Sequence, residues 1–259
     1  MKYGLIAGAA MALAGTLSAQ SNIPVATPNP FGNMTPTNAH GGEQTIVPDN
    51  GRYIDRPELL LGVQARLTAM TGKPCNIIFI GDSITEYWST TGRAVWEKNY
   101  TPQHAFNFGL QGDTTQNVLW RLTNMDVQDL KPKVAVILIG TNNTSDDPHT
   151  IADGVRAVIS NTEEIFAGVK IILVSILPNV RANEKMMQAN ALIRNFADND
   201  TVYYLDLAPL MPIESTTQPD GTVLSRYKGI GTDGLHPDAN GYEIWADAMA
   251  PLLKKLLGN

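Results

Sequence analysis

Apolar and polar positions along this chain fall into two alternating patterns. Short stretches rich in apolar and β-branched residues, at 76–80, 104–108, 134–139, 170–176 and 202–206, have the composition of strands buried on both faces of a parallel sheet. Between them the apolar residues recur at helical spacing. Residues 57–70 place Leu60, Val63, Leu67 and Met70 on one stripe, with Pro57 suited to the first turn. A second helix, capped by Thr114 or Thr115, runs through Leu122. Further helices are predicted over 150–167, 182–197 and 240–257. Strands alternating with helices predict an α/β fold, a three-layer αβα sandwich around a central parallel sheet with right-handed crossovers. Residues 207–235 show no period and read as one long irregular loop, long enough to suggest function.

The N-terminal quarter differs from the rest. Residues 1–19 carry Lys2 and then a run of apolar and small residues ending in Ser18-Ala19, the pattern of a secretory signal peptide. That run is too short to span a bilayer comfortably, so export to a secreted or periplasmic location is expected, without stable membrane insertion. Residues 20–56 are rich in Pro and Asn and read as an arm or linker, leaving 57–259 as the catalytic domain. The net charge of −6 and the lack of a basic cluster argue against nucleic acid as a partner. The single cysteine, Cys75, precedes the first strand and reads as a small core residue.

Candidate chemistry concentrates at strand ends. The first strand runs straight into Gly81-Asp82-Ser83, which puts a serine hydroxyl at the carboxyl edge of the sheet, where open α/β folds hold their ligands. A serine nucleophile needs a base. Of the four histidines, His40 lies in the arm, His104 opens a strand and His149 follows Pro148 at a helix start. His236 alone has an acid three positions earlier, Asp233, placed to turn back and fix the imidazole tautomer. Acyl transfer also needs donors for a developing oxyanion. The candidates are the Ser83 N–H, the N–H of Gly112 in the turn over 109–113, and the Asn142 side chain after the third strand. Trp88, five residues beyond Ser83, is a candidate to stack on a substrate ring, with a core position as its alternative. The elbow pattern Gly-x-Ser-x-Gly fails at its last position, Thr85. The chain has no P-loop, no Gly-x-Gly-x-x-Gly and no His-Glu-x-x-His, so neither cofactor nor catalytic metal is expected.

These four blocks, Gly81-Asp82-Ser83, Gly112, Gly140-Thr141-Asn142 and Asp233-x-x-His236, resemble those of the SGNH (GDSL-type) hydrolase superfamily. The runs from Asn107 to Thr115 and from Val118 to Leu122 are similar to the catalytic subunits of the platelet-activating-factor acetylhydrolase Ib group, and the likeness extends over about 76–257. The resemblance implies a flavodoxin-like SGNH fold, with Ser83 as nucleophile, His236 as base and Asp233 as its orienter. It implies an oxyanion hole made by Ser83, Gly112 and Asn142, and a bracing role for Asp82. Gln111 stands where the intracellular relatives have Gly. With the predicted export and acidic charge, this turns the expected substrate toward small-molecule or polysaccharide esters. The expectation is a secreted serine esterase that removes acetyl groups from carbohydrates such as acetylated xylan. The alternatives are a phospholipid acetylhydrolase or lysophospholipase, and a non-catalytic carbohydrate-binding protein.

Overall fold

In a computed structural model of the chain, residues 48–258 are described. The predicted signal peptide and residues 20–47 of the arm lie outside that range. Five strands form one wholly parallel sheet: β1 (Ile77–Gly81), β2 (Ala105–Asn107), β3 (Val134–Leu138), β4 (Lys170–Val174) and β5 (Val202–Leu205), in the order β2-β1-β3-β4-β5. The order reverses at β1, so the carboxyl ends of β1 and β3 flank the crevice where doubly wound sheets bind ligands. Strands β1 and β3 are buried along their whole length, which is why they read as continuous apolar runs rather than alternating ones.

Side-chain alternation divides the core into two layers. Ile78, Ile80, Ala135, Ile137, Ile171 and Leu173 face one set of helices. That set comprises α2 (Glu58–Met70), α5 (Thr115–Asn124), α6 (Pro148–Ile165) and α7 (Asn183–Ile193). Ile77, Phe79, Val134, Val136, Leu138 and Ile172 face the other side. There α4 (Arg93–Asn99) and α8 (Ala239–Leu257) close the sandwich through Trp96, Trp245, Met249 and Leu253. Thr114 caps α5 in a reciprocal capping box with Asn117.

Two regions differ from the sequence expectation. Residues 207–235 are not one irregular loop, for they contain an antiparallel hairpin of β6 (Ile213–Thr217) and β7 (Val223–Tyr227). Its strands are almost wholly exposed, so no apolar face marks them in the sequence. The last residues of the expected arm are not a free linker either. Gly51–Asp55 form the short helix α1, and Tyr53 is buried in the core layer of α2 and α5.

The start of α8 is joined to the loop that precedes it. The Asp238 N–H donates to the Gly229 carbonyl at 3.0 Å, the Gly231 N–H donates to the His236 carbonyl at 2.8 Å, and Asp238 caps the helix through the Gly241 N–H at 2.9 Å. Gly241 packs its Cα against the Gly229 backbone, and a Cβ there would drive into the Gly229 carbonyl oxygen. Alanine would gain about 1 kcal/mol of helix propensity, but a backbone clash of the overpacking kind costs about 1–3 kcal/mol and has no flexible side chain to absorb it. Gly241→Ala is therefore expected to lower Tm by up to roughly 8 °C and to reduce activity by shifting the His236 loop. A melting curve at or above the wild-type Tm would show that the contact yields.

Candidate active site

Asp82, Ser83 and the helix they open follow directly from β1. Asp82 is buried and its carboxylate accepts the Ile84 N–H at 2.9 Å, capping α3 (Ser83–Glu86) and fixing the sharp turn that presents Ser83. Ser83 itself is 7% exposed, sunk in the crevice but reachable. Its Oγ lies 2.9 Å from His236 Nε2. The other ring nitrogen, Nδ1, lies 2.6 Å from Asp233 Oδ2. A carboxylate can only accept, so Nδ1 donates and Nε2 is left to accept the Ser83 proton.

Asp233 does two jobs with two oxygens. Oδ2 takes the imidazole, while Oδ1 accepts the N–H groups of Leu235 at 2.9 Å and His236 at 3.0 Å. Burial raises its carboxyl, but the hydrogen bonds from the His236 ring and from those two amides outweigh it, so the group sits below the ordinary carboxylate range. The Asp233 side chain is 53% exposed, so solvent screens its charge and its main contribution is orientation of the ring. The Tyr87 ring packs on the His236 ring at 4.9 Å between centroids and limits its swing from the other side.

The structure brings the oxyanion candidates to the same end of the sheet. Gly112 is exposed and has φ +76°, a left-handed conformation that suits glycine, and its N–H has no protein partner among the described residues. Asn142 donates from Nδ2 to the Asp113 carbonyl at 3.0 Å and, in a longer bond, to Asp82 Oδ2 at 3.4 Å. One amide hydrogen is thus committed to Asp113, which sets the plane in which the other points.

Trp88 is the candidate that the structure moves elsewhere. It is 0% exposed and packs against Tyr242 at 4.4 Å, Trp245 at 5.1 Å and Tyr100 at 5.2 Å. The 3₁₀ turn Tyr87–Ser89 after α3 rotates residue 88 back under the sheet and leaves Tyr87 beside His236. Trp88 is therefore a core residue with no open face for a sugar. His104 and His149 are exposed, and it is His236 that makes the hydrogen bond to Ser83. Cys75 is buried and its thiol is pushed up to about 12 by burial, as befits an inert core residue.

Several residues at the site carried no sequence assignment. The buried Asp113 carboxylate receives Arg121, Arg52 and Tyr53 at 2.7, 2.7 and 2.8 Å. Arg121 also donates to the Phe108 carbonyl at 2.8 Å. Arg66 donates to the Gly109 carbonyl at 2.7 Å, and Glu86 accepts the Gln111 N–H at 2.8 Å. The available signal was Arg121, a charge set on the buried stripe of α5 between Val118 and Leu122.

This fold and this acylhydrolase geometry define an α/β carboxylic ester hydrolase. The chain belongs to the GDSL-like Lipase/Acylhydrolase family, whose profile matches residues 79–244. It is 30% identical over 190 residues to platelet-activating factor acetylhydrolase IB subunit alpha1 of Rattus norvegicus, covering 71% of this chain and 78% of that one. The alpha2 subunit of Homo sapiens is 37% identical over 123 residues, 47% of this chain and 52% of that one. Among solved structures, a Bacteroides fragilis protein matches with TM-score 0.62 and 21% identity over 78% of this chain and 99% of that one. A carbohydrate esterase family 3 protein of Talaromyces cellulolyticus matches with TM-score 0.50 and 17% identity over 71% and 98%. At such identities the two structures carry the fold alone.

Two measurements test the geometry. Asn142→Ala is expected to lower kcat about 10²–10³-fold, the usual loss for one oxyanion donor, and an unchanged kcat would remove Asn142 from that role. Asp82 offers a pH test. Burial pushes its carboxyl up from 3.8 to about 7, opposed by the Ile84 N–H and reinforced by the Asp113 charge. The native state then binds the Asp82 proton more tightly than the unfolded chain does, so stability falls as pH rises between those two values and levels off above them. The Tm of wild type relative to Asp82→Asn should drop across that window; a difference independent of pH would contradict the assignment.

Proposed function

We propose that this protein is a serine esterase that removes acetyl and other short acyl groups by an acyl-enzyme mechanism. The observation that carries the reading is the continuous relay from Ser83 Oγ through His236 to Asp233, at 2.9 and 2.6 Å. Ser83 attacks the ester carbonyl while His236 Nε2 takes its proton. The negative oxygen that develops is met by the Gly112 N–H, the Ser83 N–H and the Asn142 amide. His236 then gives its proton to the departing alkoxide, leaving Ser83 acylated. Water, deprotonated by the same imidazole, releases the carboxylic acid and restores the serine. Asp233 holds the tautomer and stabilises the imidazolium in both halves.

The alcohol half of the substrate is best read as that of a phospholipid acetyl ester. The relatives that match most of both chains are named platelet-activating factor acetylhydrolases, which supports both the acetyl group and a lipid-type alcohol. Val180, 70% exposed, packs on Gly234 between Asp233 and His236 and gives the rim an apolar edge. A carbohydrate ester is the second reading, because the half-buried Tyr87 ring beside His236 offers an aromatic surface next to the reacting serine. Trp88, buried, no longer supports it. The signal-peptide pattern of residues 1–19 supports action outside the cytoplasm.

Rates on p-nitrophenyl esters from acetyl to octanoyl, with acetate release from acetylated phospholipid and from acetylated xylan, separate these readings. A steep fall beyond propionyl with release from the phospholipid alone is expected. Release from xylan alone would make the carbohydrate reading the right one, and rising rates toward octanoyl would refute the short-acyl preference. Ser83→Ala should abolish turnover while keeping the wild-type melting profile; residual turnover at the wild-type rate would exclude a serine nucleophile.

A further inference from the structure

The geometry points to the segment 49–56, which lies ahead of the profile-matched residues 79–244, as the support of the oxyanion hole, with Arg52 and Tyr53 as positioning residues for Gly112 and Asn142. The inference rests on the esterase reading above.

The segment is fastened to the oxyanion loop at several points. The Asp49 N–H donates to the Gln116 carbonyl at 3.1 Å, and Asn117 Nδ2 donates to the Asp49 carbonyl at 2.9 Å. Tyr53 packs its ring on Trp120 at 5.3 Å. Its hydroxyl and Arg52 Nη1 both converge on Asp113 Oδ1, while Arg121 Nε holds Oδ2. Two of the three donors on this buried carboxylate therefore come from residues 52 and 53.

Asp113 is the hinge between that anchor and the reacting atoms. Its own carbonyl accepts the Asn142 amide, and its nitrogen is bonded to the Gly112 carbonyl carbon, one residue from the Gly112 N–H. A backbone shift at Asp113, made as its side chain seeks other partners, would move both the carbonyl that holds Asn142 and the adjoining Gly112. Asn142 already donates a second, longer hydrogen bond to Asp82 Oδ2, at 3.4 Å. Weakening the Asp113 contact would release the amide toward Asp82 and away from the substrate.

Arg52 also touches the glycine directly. A Cβ built on Gly112 would lie 2.8 Å from Arg52 Nη2, so the guanidinium walls the loop on that side. Two arginines, Arg52 and Arg121, share the one Asp113 carboxylate. The opposite end of the loop is held by Arg66 of α2 on the Gly109 carbonyl and by Glu86 of α3 on the Gln111 N–H. Helices α1 and α2 both lie outside the matched residues 79–244, and together they hold both ends of the loop.

The test uses the full chain with Arg52→Ala, Arg52→Lys and Tyr53→Phe. Rates on p-nitrophenyl acetate are normalised to active sites titrated with a phosphonate ester, and Tm and the affinity for a trifluoromethyl ketone are measured alongside. Arg52→Ala should lower kcat per titrated site about 10–100-fold with KM within about two-fold, and Arg52→Lys should recover part of the loss. Tyr53→Phe, which keeps the buried ring, should cost about 3–10-fold in kcat. Affinity for the ketone, whose adduct mimics the oxyanion, should fall in parallel with kcat/KM. A kcat per titrated site unchanged in Tyr53→Phe, with any effect confined to Tm, would overturn the proposal, and that variant decides the matter if Arg52→Ala does not fold. Wild-type protein inert toward both the acetate and the phosphonate would refute the esterase reading instead.

Discussion

The buried carboxylate of Asp113 is the point on which the site's geometry depends. Arg121 reaches it from eight residues along the chain, and Arg52 from 61 residues away. Asp113 and Arg121 are both fully buried, so neither is compensated by water. A pair of this kind is not retained for its net stability, since desolvation consumes most of the Coulomb attraction, but removing one partner strands the other at a cost of about 3–5 kcal/mol. That asymmetry makes the arrangement all or nothing. Arg121 extends it by donating to the Phe108 carbonyl, at the end of the strand that leads into the oxyanion loop. The loop is thereby tied to the sheet edge through a charge network rather than through regular secondary structure.

The sheet supplies the rest of the preorganisation. Because β1 and β3 are neighbours and parallel, the residues after each emerge side by side: Asp82 and Ser83 after one, Gly140 to Asn143 after the other. The third contribution comes from the far end of the chain. The loop 229–238 is bonded to itself and to the first turn of α8, so His236 is carried on a rigid support. Its acid partner comes from the same turn, which costs no further loop closure. The relay is thus assembled from one long-range docking event, that of α8 against the sheet, and one local turn.

Much of this was legible from the residues alone. Apolar runs at 76–80, 134–139 and 170–176 located the central strands to within a residue or two, because strands buried on both faces leave a continuous signature. The Asp233-x-x-His236 spacing foretold a hydrogen bond that forms within one turn. The hairpin in 207–235 left a weaker trace, Asp220-Gly221 between two β-prone stretches, and its exposed strands lack the alternation that burial would have imposed.

What the sequence by itself determined was the succession of elements and the kinds of groups at the strand ends: a serine, a glycine, an asparagine, and an acid with a histidine. Local periodicity encodes local burial, and short spacings encode turns. What only the tertiary structure decided was which way individual side chains face and which distant residues meet. Trp88 turns into the core and Tyr87 toward His236, because a short helix followed by a 3₁₀ turn sets their direction. Arg52 and Tyr53, in a Pro- and Asn-rich stretch with no periodic signal, meet Asp113 about sixty positions later. Such contacts arise from packing of the whole chain around its sheet, and no local pattern of residues carries that information.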